Sequence, residues 1–333
     1  MATSQKQNPN RERKRIPFLL YGFLFFCLGF AFQLTSPILY YILKTTRFIQ
    51  VSDTWNDLTF LMSNILIWLG LLFACFDLFI LLPYKRRQRP IISCPPKVNE
   101  LTVVLTAYND ELSIREAVLD FLGHPLVRRV IVVDNNSNDE TVRKAVEAGA
   151  IVVREERQGY GHCVYRALQE GMKNLDTELT LLCEGDMSFR AGDIEKFMAY
   201  ISHAEIVNGT RIVEQLRSHD TQLTTFMYYG NFFVGKLLEA KHIGCGTFTD
   251  VGTTYKLCCN SALRKLLPLL NPDINFEFNA HFLDTALKHG FSLLECPITF
   301  HHRLGLSKGG NKDNRTAFKV GMRMIKGILF SWR

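Results

Sequence analysis

The chain has 333 residues, 47% of them apolar, with 39 basic against 32 acidic side chains and a formal charge of +7. Its nine cysteines are odd in number and form no C-x-x-C pair, which argues for reduced thiols and against a disulfide framework or a zinc site. The positive charge gathers beside apolar stretches and in the C-terminal tail, a pattern that points to anionic lipid and not to nucleic acid.

Ile16 to Leu43 contains no Asp, Glu, Lys or Arg, and Leu58 to Phe76 is a second uncharged stretch that continues past Asp77 to Pro83. Either is long enough to cross about 30 Å of hydrocarbon as a helix. The first run exceeds a signal-peptide core and no small-residue cleavage site follows it, so a retained two-helix transmembrane hairpin is expected over 16–43 and 58–83. Lys6, Arg11, Arg13, Lys14 and Arg15 precede the pair, and Lys85, Arg86, Arg87 and Arg89 follow it. Basic flanks stay inside, which predicts that both ends, and everything after them, face the cytoplasm. Asp77 falls near the inner end of the second span, where a snorkelling or locally hydrated carboxylate is expected.

The expected organisation is a basic N-terminus (1–15), the hairpin (16–83), a Pro-containing linker (84–99), a catalytic domain (100–310) and a tail (311–333). After the linker, β-branched runs alternate with helical patterns: "LTVVLTAY", a helix near 111–122, "VRRVIVVD", a helix near 139–148, "AIVVRE", a helix near 161–174, and "ELTLLCEGD". Such interleaving is the signature of βαβ units, so the domain reads as α/β with a mainly parallel sheet. Ligands of such sheets bind beyond the carboxyl ends of the strands. Three strands end there in polar clusters, "TAYNDE", "VDNNSND" and "CEGDMS", and their convergence on one rim is the physical argument for a site.

Glu184 and Asp186 lie two apart on an extended segment and point the same way, a pair of hard oxygen donors suited to Mg²⁺ or Mn²⁺. On these residues alone an acidic turn is the favoured alternative. Asp134 closes its strand and can accept hydrogen bonds from a nucleobase or ribose, or simply belong to a turn that caps the next helix. Gly159-x-Gly161 opens a helix, but Val164 stands where a dinucleotide fingerprint has its third glycine, which excludes a strong NAD reading. What remains is a helix N-terminus near Arg157, suited to an anion, or a plain loop.

The ordered string "TAYNDE … VVDNNSNDET … RQGYGHC … CEGDMSF … VNGTR", followed by "FTDVGTTYKL" and "CPITFHHRLGLSKGG", resembles the family 2 glycosyltransferases of the Rossmann-like GT-A fold. The resemblance covers about 100–310 and is especially to the branch typified by dolichol-phosphate mannose synthase and polyprenyl-phosphate glycosyltransferases. It implies that Tyr108, Asp110 and Asp134 hold the nucleotide, with Arg157 and Glu184 nearby. Glu184 and Asp186 correspond to the family's D-x-D, with Asp186 the principal metal ligand. Arg211, Arg303, Ser307 and Lys308 would surround the donor and acceptor phosphates. The chain departs from the pattern at Glu184, Asn135, Ser188, Thr253 and Lys256.

The resulting expectation is a membrane-anchored inverting enzyme that moves a sugar from a UDP- or GDP-sugar to polyprenyl phosphate of dolichyl or undecaprenyl type. An anionic acceptor oxygen needs no base, and Arg211, Arg303 and Lys308 then orient it. A glycan hydroxyl acceptor would need one, for which Asp250 is the candidate, the alternatives being that it caps a strand end or supports Lys256. A silent scaffold that keeps the fold is the alternative outside enzymes. Processive synthesis is disfavoured, since no Q-x-x-R-W string and no further bundle of spans appears.

Glu277 and His281 are four apart on a predicted helix and can meet on one face; a helix near the acceptor groove without direct chemistry is expected, and metal ligation by the pair is the alternative. His301 and His302 are adjacent in an extended segment, so at most one faces a cleft. In the tail, Phe318, Met322, Ile325, Leu329 and Trp332 form an apolar stripe beside Arg315, Lys319, Arg323 and Lys326. That pattern suits a helix on an anionic membrane surface, and packing on the domain is the alternative.

Overall fold

The computed structural model describes residues 16–46, 54–87, 96–97, 100–173, 175–218, 221–305 and 313–332. The expected site residues Ser307 and Lys308, and most of the basic N-terminus and linker, lie outside them. Two compact units are present, one of Arg15–Pro90 with Ala240–Gly244 and one built on Ile91–Glu239 and Cys245–Arg333.

The first unit is a helical hairpin of α1 (Phe18–Thr46) and α2 (Thr54–Cys75), the latter running on through a π-helical turn (Phe76–Leu81) into α3 (Leu82–Arg87). Both arms are long and apolar enough to cross a membrane. Their contact is a row of small residues at seven-residue intervals, Gly22, Gly29 and Ser36 against Ser63 and Gly70. A methyl on Gly22 would stand 2.7 Å from the Gly70 carbonyl oxygen, and one on Gly70 2.6 Å from that of Gly22. Close backbone approach through small residues replaces hydrophobic driving force where the surroundings are themselves apolar. Asp77 departs from the expectation of a hydrated carboxylate. It is fully buried, and its Oδ2 accepts the Leu19 N–H at 2.9 Å, satisfying an orphan donor of the first turn of α1. The π turn follows from the same residue, for the Leu82 N–H reaches the Asp77 carbonyl.

The second unit is α/β, with a seven-stranded sheet of order β3-β2-β1-β4-β6-β5-β7. It opens with β1 (Leu101–Ala107), α4 (Ile114–Leu122), β2 (Val127–Asp134), α5 (Thr141–Glu147), β3 (Ile151–Arg154), α6 (Tyr160–Lys173) and β4 (Leu179–Glu184). Then come α7 (Ile194–Ile201), β5 (Ile206–Thr210), α8 (Thr225–Lys241), β6 (Lys256–Cys259), α9 (Asn260–Leu266), α10 (Phe278–Lys288), β7 (Leu293–Pro297) and α11 (Asn314–Leu329). Strand β6 is antiparallel to both its neighbours, and the other pairings are parallel.

Every residue of β1 is buried, because helices cover both faces of the sheet and leave no polar side to alternate. Helix α4 buries Ile114, Ala117, Val118 and Phe121, an i, i+3, i+4, i+7 stripe. Pairing of Ala107 with Asp134 and of Thr106 with Glu184 brings the ends of β1, β2 and β4 to one level, which makes the rim.

Candidate active site

Each of the three rim loops contains one non-glycine residue in the left-handed region, Asn109 (φ 51°), Asn136 (φ 66°) and Met187 (φ 69°). Asn tolerates this conformation, whereas a buried Met does so at a cost of about 1 kcal/mol or more. Beyond the rim opens a cleft of about 830 Å³ whose wall includes Tyr108, Asp110, Glu184, Asp186, Arg211 and Arg303. Asp134, Arg157 and Asp250 are not on that wall. Asp134 is buried and accepts the Ser137 N–H, and Arg157 is exposed to solvent. Asn135, beside Asp134, does line the cleft, and it fastens the 155–159 strap by donating to the Glu155 and Arg157 carbonyls and accepting from the Gly159 N–H.

The segment after β7 is stitched to the turn after β4: the His301 N–H donates to Ser188 O, and the Leu304 N–H to Asp186 O. This places the Arg303 guanidinium between two carboxylates, 3.0 Å from Asp186 Oδ2 and 3.4 Å from Asp110 Oδ1. Burial, and then the neighbouring Glu184, push Asp186 up to about 6 against the downward pull of Arg303. Two rim carboxylates gathered about one cation suit a divalent ion, which commonly takes one or two carboxylates and completes its shell with substrate phosphate. Among the described residues no cluster of three or more metal-ligating His, Cys, Asp or Glu occurs, so substrate oxygens would have to supply the rest.

Arg211 is held by Asp250 in a buried fork, Nε to Oδ2 at 2.7 Å and Nη2 to Oδ1 at 2.8 Å. Asp250 also accepts the N–H groups of Arg211 and Gly252. Although burial raises the Asp250 carboxyl, the Arg211 charge and hydrogen bonds outweigh it and hold the group below the usual carboxylate range. The pairing makes Asp250 the anchor of Arg211, with no oxygen left to serve as a base facing an acceptor. Glu295 on β7 fixes the same loop by accepting from Thr249 N–H and O–H and from Asp250 N–H. Among the described residues Arg211 Nη1 makes no hydrogen bond, the guanidinium lies over the Phe300 ring, and the residue lines the cleft.

From this polar end the cleft extends into an apolar arm between α8 and α11, walled by Phe226, Phe233, Val234, Phe318, Met322 and Ile325. Helix α11 docks on the domain through Val320, Met324, Gly327 and Ile328, while Phe318 and Met322 stay exposed. The apolar residues of the tail thus divide between a domain face and an outer face. Arg323 pairs with Glu277, and the Trp332 Nε1–H donates to Asp284 Oδ2 at 2.6 Å. His281 Nε2 accepts the Asn271 N–H and its Nδ1 meets the Thr285 hydroxyl, so the Glu277–His281 pair is structural. Tyr160, Thr254 and Asn279 also line the wall, joined to one another and to Glu184 by hydrogen bonds. No periodicity marks these three in the sequence, because their role depends on which loops meet.

The family model described as Glycosyl transferase family 2 matches residues 102–267. Residues 102–267 therefore form a family 2 glycosyltransferase domain. An uncharacterised glycosyltransferase of Mycobacterium tuberculosis is 39% identical over 112 residues, which are 33% of this chain and 48% of the relative. The match thus spans about half the length of the first such relatives. A dolichyl-phosphate hexose transferase of Haloferax volcanii is 25% identical over 228 residues, 67% of this chain and 94% of the relative. Among solved structures, the glucosyl-3-phosphoglycerate synthase of Mycobacterium tuberculosis, in complex with Mn²⁺, uridine diphosphate and phosphoglyceric acid, is similar with a TM-score of 0.51 at 16% identity. That similarity covers 76% of this chain and 82% of the synthase, and it establishes the shared GT-A fold.

Proposed function

We propose that this family 2 glycosyltransferase domain transfers a hexose-type sugar from a nucleoside diphosphate sugar to a polyprenyl phosphate, anchored by its hairpin and working at the cytoplasmic face of a membrane. The observation that carries the reading is the shape of the cleft. One end gathers Asp110, Asp186, Arg211 and Arg303, and the other is an apolar arm between two helices. An amphiphile with an anionic head and a hydrocarbon tail matches both ends. The dolichyl-phosphate hexose transferase relative supports the same acceptor class.

Asp110, Tyr108 and the Asn135-fastened strap would receive the nucleotide beside the rim. Asp186 would be the main protein ligand of Mg²⁺ or Mn²⁺, with Glu184 adjacent, and the metal-containing structure of the synthase supports a divalent ion. When bound, the ion supplies charge neutralisation of the departing diphosphate. Arg303, now on the two carboxylates, would exchange them for phosphate oxygens. Arg211 is kept rigid by Asp250 and would direct Nη1 at the acceptor phosphate. The acceptor oxygen is already anionic, so the reaction moves no proton. The new C–O bond forms as the anomeric C–O bond breaks, with its electron pair leaving on the nucleoside diphosphate. The engagement of both Asp250 oxygens weighs against a hydroxyl acceptor, which would need a base.

A screen of UDP- and GDP-sugars against polyprenyl phosphate in detergent, with Asp186→Ala as control, tests the proposal. Transfer by the wild type that vanishes in the variant is expected. Unchanged turnover by Asp186→Ala would remove the metal assignment, and transfer only to glycan hydroxyls would remove the acceptor.

A further inference from the structure

Helix α8 lays one face on the domain, where Met227, Val234 and Leu238 are buried, while Phe226, Tyr229 and Phe233 are exposed. Asn231 interrupts that inner apolar face, one turn after Met227 and one turn before Gly235. Gly235 lets the helix close on the loop that precedes β6, for a methyl there would stand 2.8 Å from the Phe248 carbonyl oxygen. One turn earlier, Asn231 is brought against Gly252 at the far end of the same loop. No step of the reaction above uses Asn231, although it lines the cleft.

The Asn231 amide has one orientation. Its nitrogen donates to the Met227 carbonyl at 3.1 Å, and a carbonyl can only accept, so Oδ1 is the atom left for a ligand. Among the described residues that oxygen makes no hydrogen bond. A methyl on Gly252 would stand 2.8 Å from Asn231 Oδ1 and 3.1 Å from Arg211 Nη2. Gly252 is not one of the left-handed glycines, so it is there for space and not for backbone conformation. Its peptide groups are pinned, the N–H on Asp250 Oδ1 at 3.0 Å and the carbonyl under Asn279 Nδ2 at 3.1 Å. Arg211 Nη2 gives one hydrogen to Asp250 and keeps a second. A bare Cα thus lies between a fixed acceptor and a fixed donor.

The pair selects the chemistry of what it meets. A phosphate oxygen would accept from the guanidinium but repel the amide oxygen, and a hydrocarbon would satisfy neither. A hydroxyl does both, accepting from Arg211 and donating to Asn231. We propose that Asn231 is a specificity-determining residue, whose Oδ1 accepts a hydrogen bond from one hydroxyl of the transferred sugar while Arg211 Nη2 donates to the same hydroxyl. This rests on the transfer reaction proposed above. There Arg211 Nη1 faces the acceptor phosphate, and the group that phosphate attacks is the sugar and not the ribose of the nucleotide. One guanidinium would then hold the attacking oxygen and the sugar in a fixed relation. A sugar without that hydroxyl would leave Asn231 Oδ1 unpaired, which is how a polar site rejects an analogue.

The test is a cycle between enzyme and substrate on the full-length protein in detergent. The nucleotide sugar that the wild type uses is compared with the set of its monodeoxy analogues, one sugar hydroxyl removed in each, with polyprenyl phosphate as acceptor. Wild type, Asn231→Ala and Asn231→Leu are measured, and kcat/KM is read for every pairing. The two substitutions remove Oδ1 with different volumes, so the cycle survives if one of them fails to fold. One analogue is expected to lose about tenfold in the wild type, the effect of one hydrogen bond, and to lose nothing further in the variants. The ratios for the other analogues should be the same in all three proteins. Intrinsic reactivity of each deoxy sugar cancels in that comparison, and a structural lesion would lower all donors alike. No impaired analogue in the wild type, or losses that persist unchanged in the variants, would overturn the role of Asn231 while leaving the transfer reaction standing. A wild type that transfers no sugar to polyprenyl phosphate would overturn the reaction and this role together.

Discussion

Replacing Asp250 with Asn separates an anchor from a base. In the structure four donors converge on the two Asp250 oxygens: Arg211 N–H and Nε on Oδ2, and Arg211 Nη2 and Gly252 N–H on Oδ1. An amide can keep only one of those oxygens, so two donors lose their acceptor whichever way it turns. The Arg211 charge, on a side chain 6% exposed, also loses its counter-ion. Breaking one side of such a buried pair costs about 3 to 5 kcal/mol. Denaturant unfolding in detergent should therefore show Asp250→Asn destabilised by about 3 kcal/mol or more. Turnover should fall because Arg211 is no longer held, with the pH profile unchanged in shape. Replacing both partners, as Arg211→Met with Asp250→Leu, should recover much of the stability and none of the activity. An Asp250→Asn protein of wild-type stability that binds donor and metal but does not turn over would refute this reasoning and make Asp250 a base.

Asp186 must be ionised to hold a cation, so turnover at subsaturating metal should fall as the pH drops through about 6. Arg303→Gln removes the opposing cation and should move that limb to higher pH, as read in pH–rate profiles. Burial lowers the His281 ring to about 4, while an unfolded histidine titrates near its usual 6.5. Stability from this group is therefore complete above pH 6.5 and is lost as the pH falls toward 4, by about 3 kcal/mol in full. Equilibrium unfolding of wild type against His281→Gln between pH 7.5 and 4.5 should show that acid-sensitive increment disappear. A methyl group at Gly161 would stand 1.8 Å from the Ile274 carbonyl oxygen and 2.6 Å from that of Pro272. Gly161→Ala should cost about 2 to 4 kcal/mol, seen as a lowered melting temperature.

The parallel half of the sheet was readable because each buried strand is a β-branched run and each covering helix repeats its apolar residues at helical spacing, as in α4 and α6. Strand β6 escaped the pattern: "KLCC" is four residues long and follows a loop, and nothing in its composition states that it runs against its neighbours. That reversal is what brings Thr254 to Glu184. The rim carboxylates Asp110, Glu184 and Asp186 announced themselves by standing at strand ends. Asp134 and Asp250 have similar surroundings in the sequence, yet turn inward to Ser137 N–H and to Arg211. Direction of that kind is decided by contacts distant in sequence. Gly161 belongs with them, for the backbone of residues 272–274 leaves no room there for a side chain.

Met187 is the one rim residue that sits in a left-handed turn without the chemistry to make it comfortable. Its backbone fixes the direction in which Asp186 leaves the strand, and its side chain, 6% exposed, is clamped in the hydrophobic core. Glycine would relax the turn and asparagine would suit it, so a chain selected for stability alone would carry one of them. Keeping a methionine couples the aim of the loop that carries Asp186 to the packing beneath it. A repacked core around Met187 would therefore be felt first as a change in catalysis, before any loss of fold.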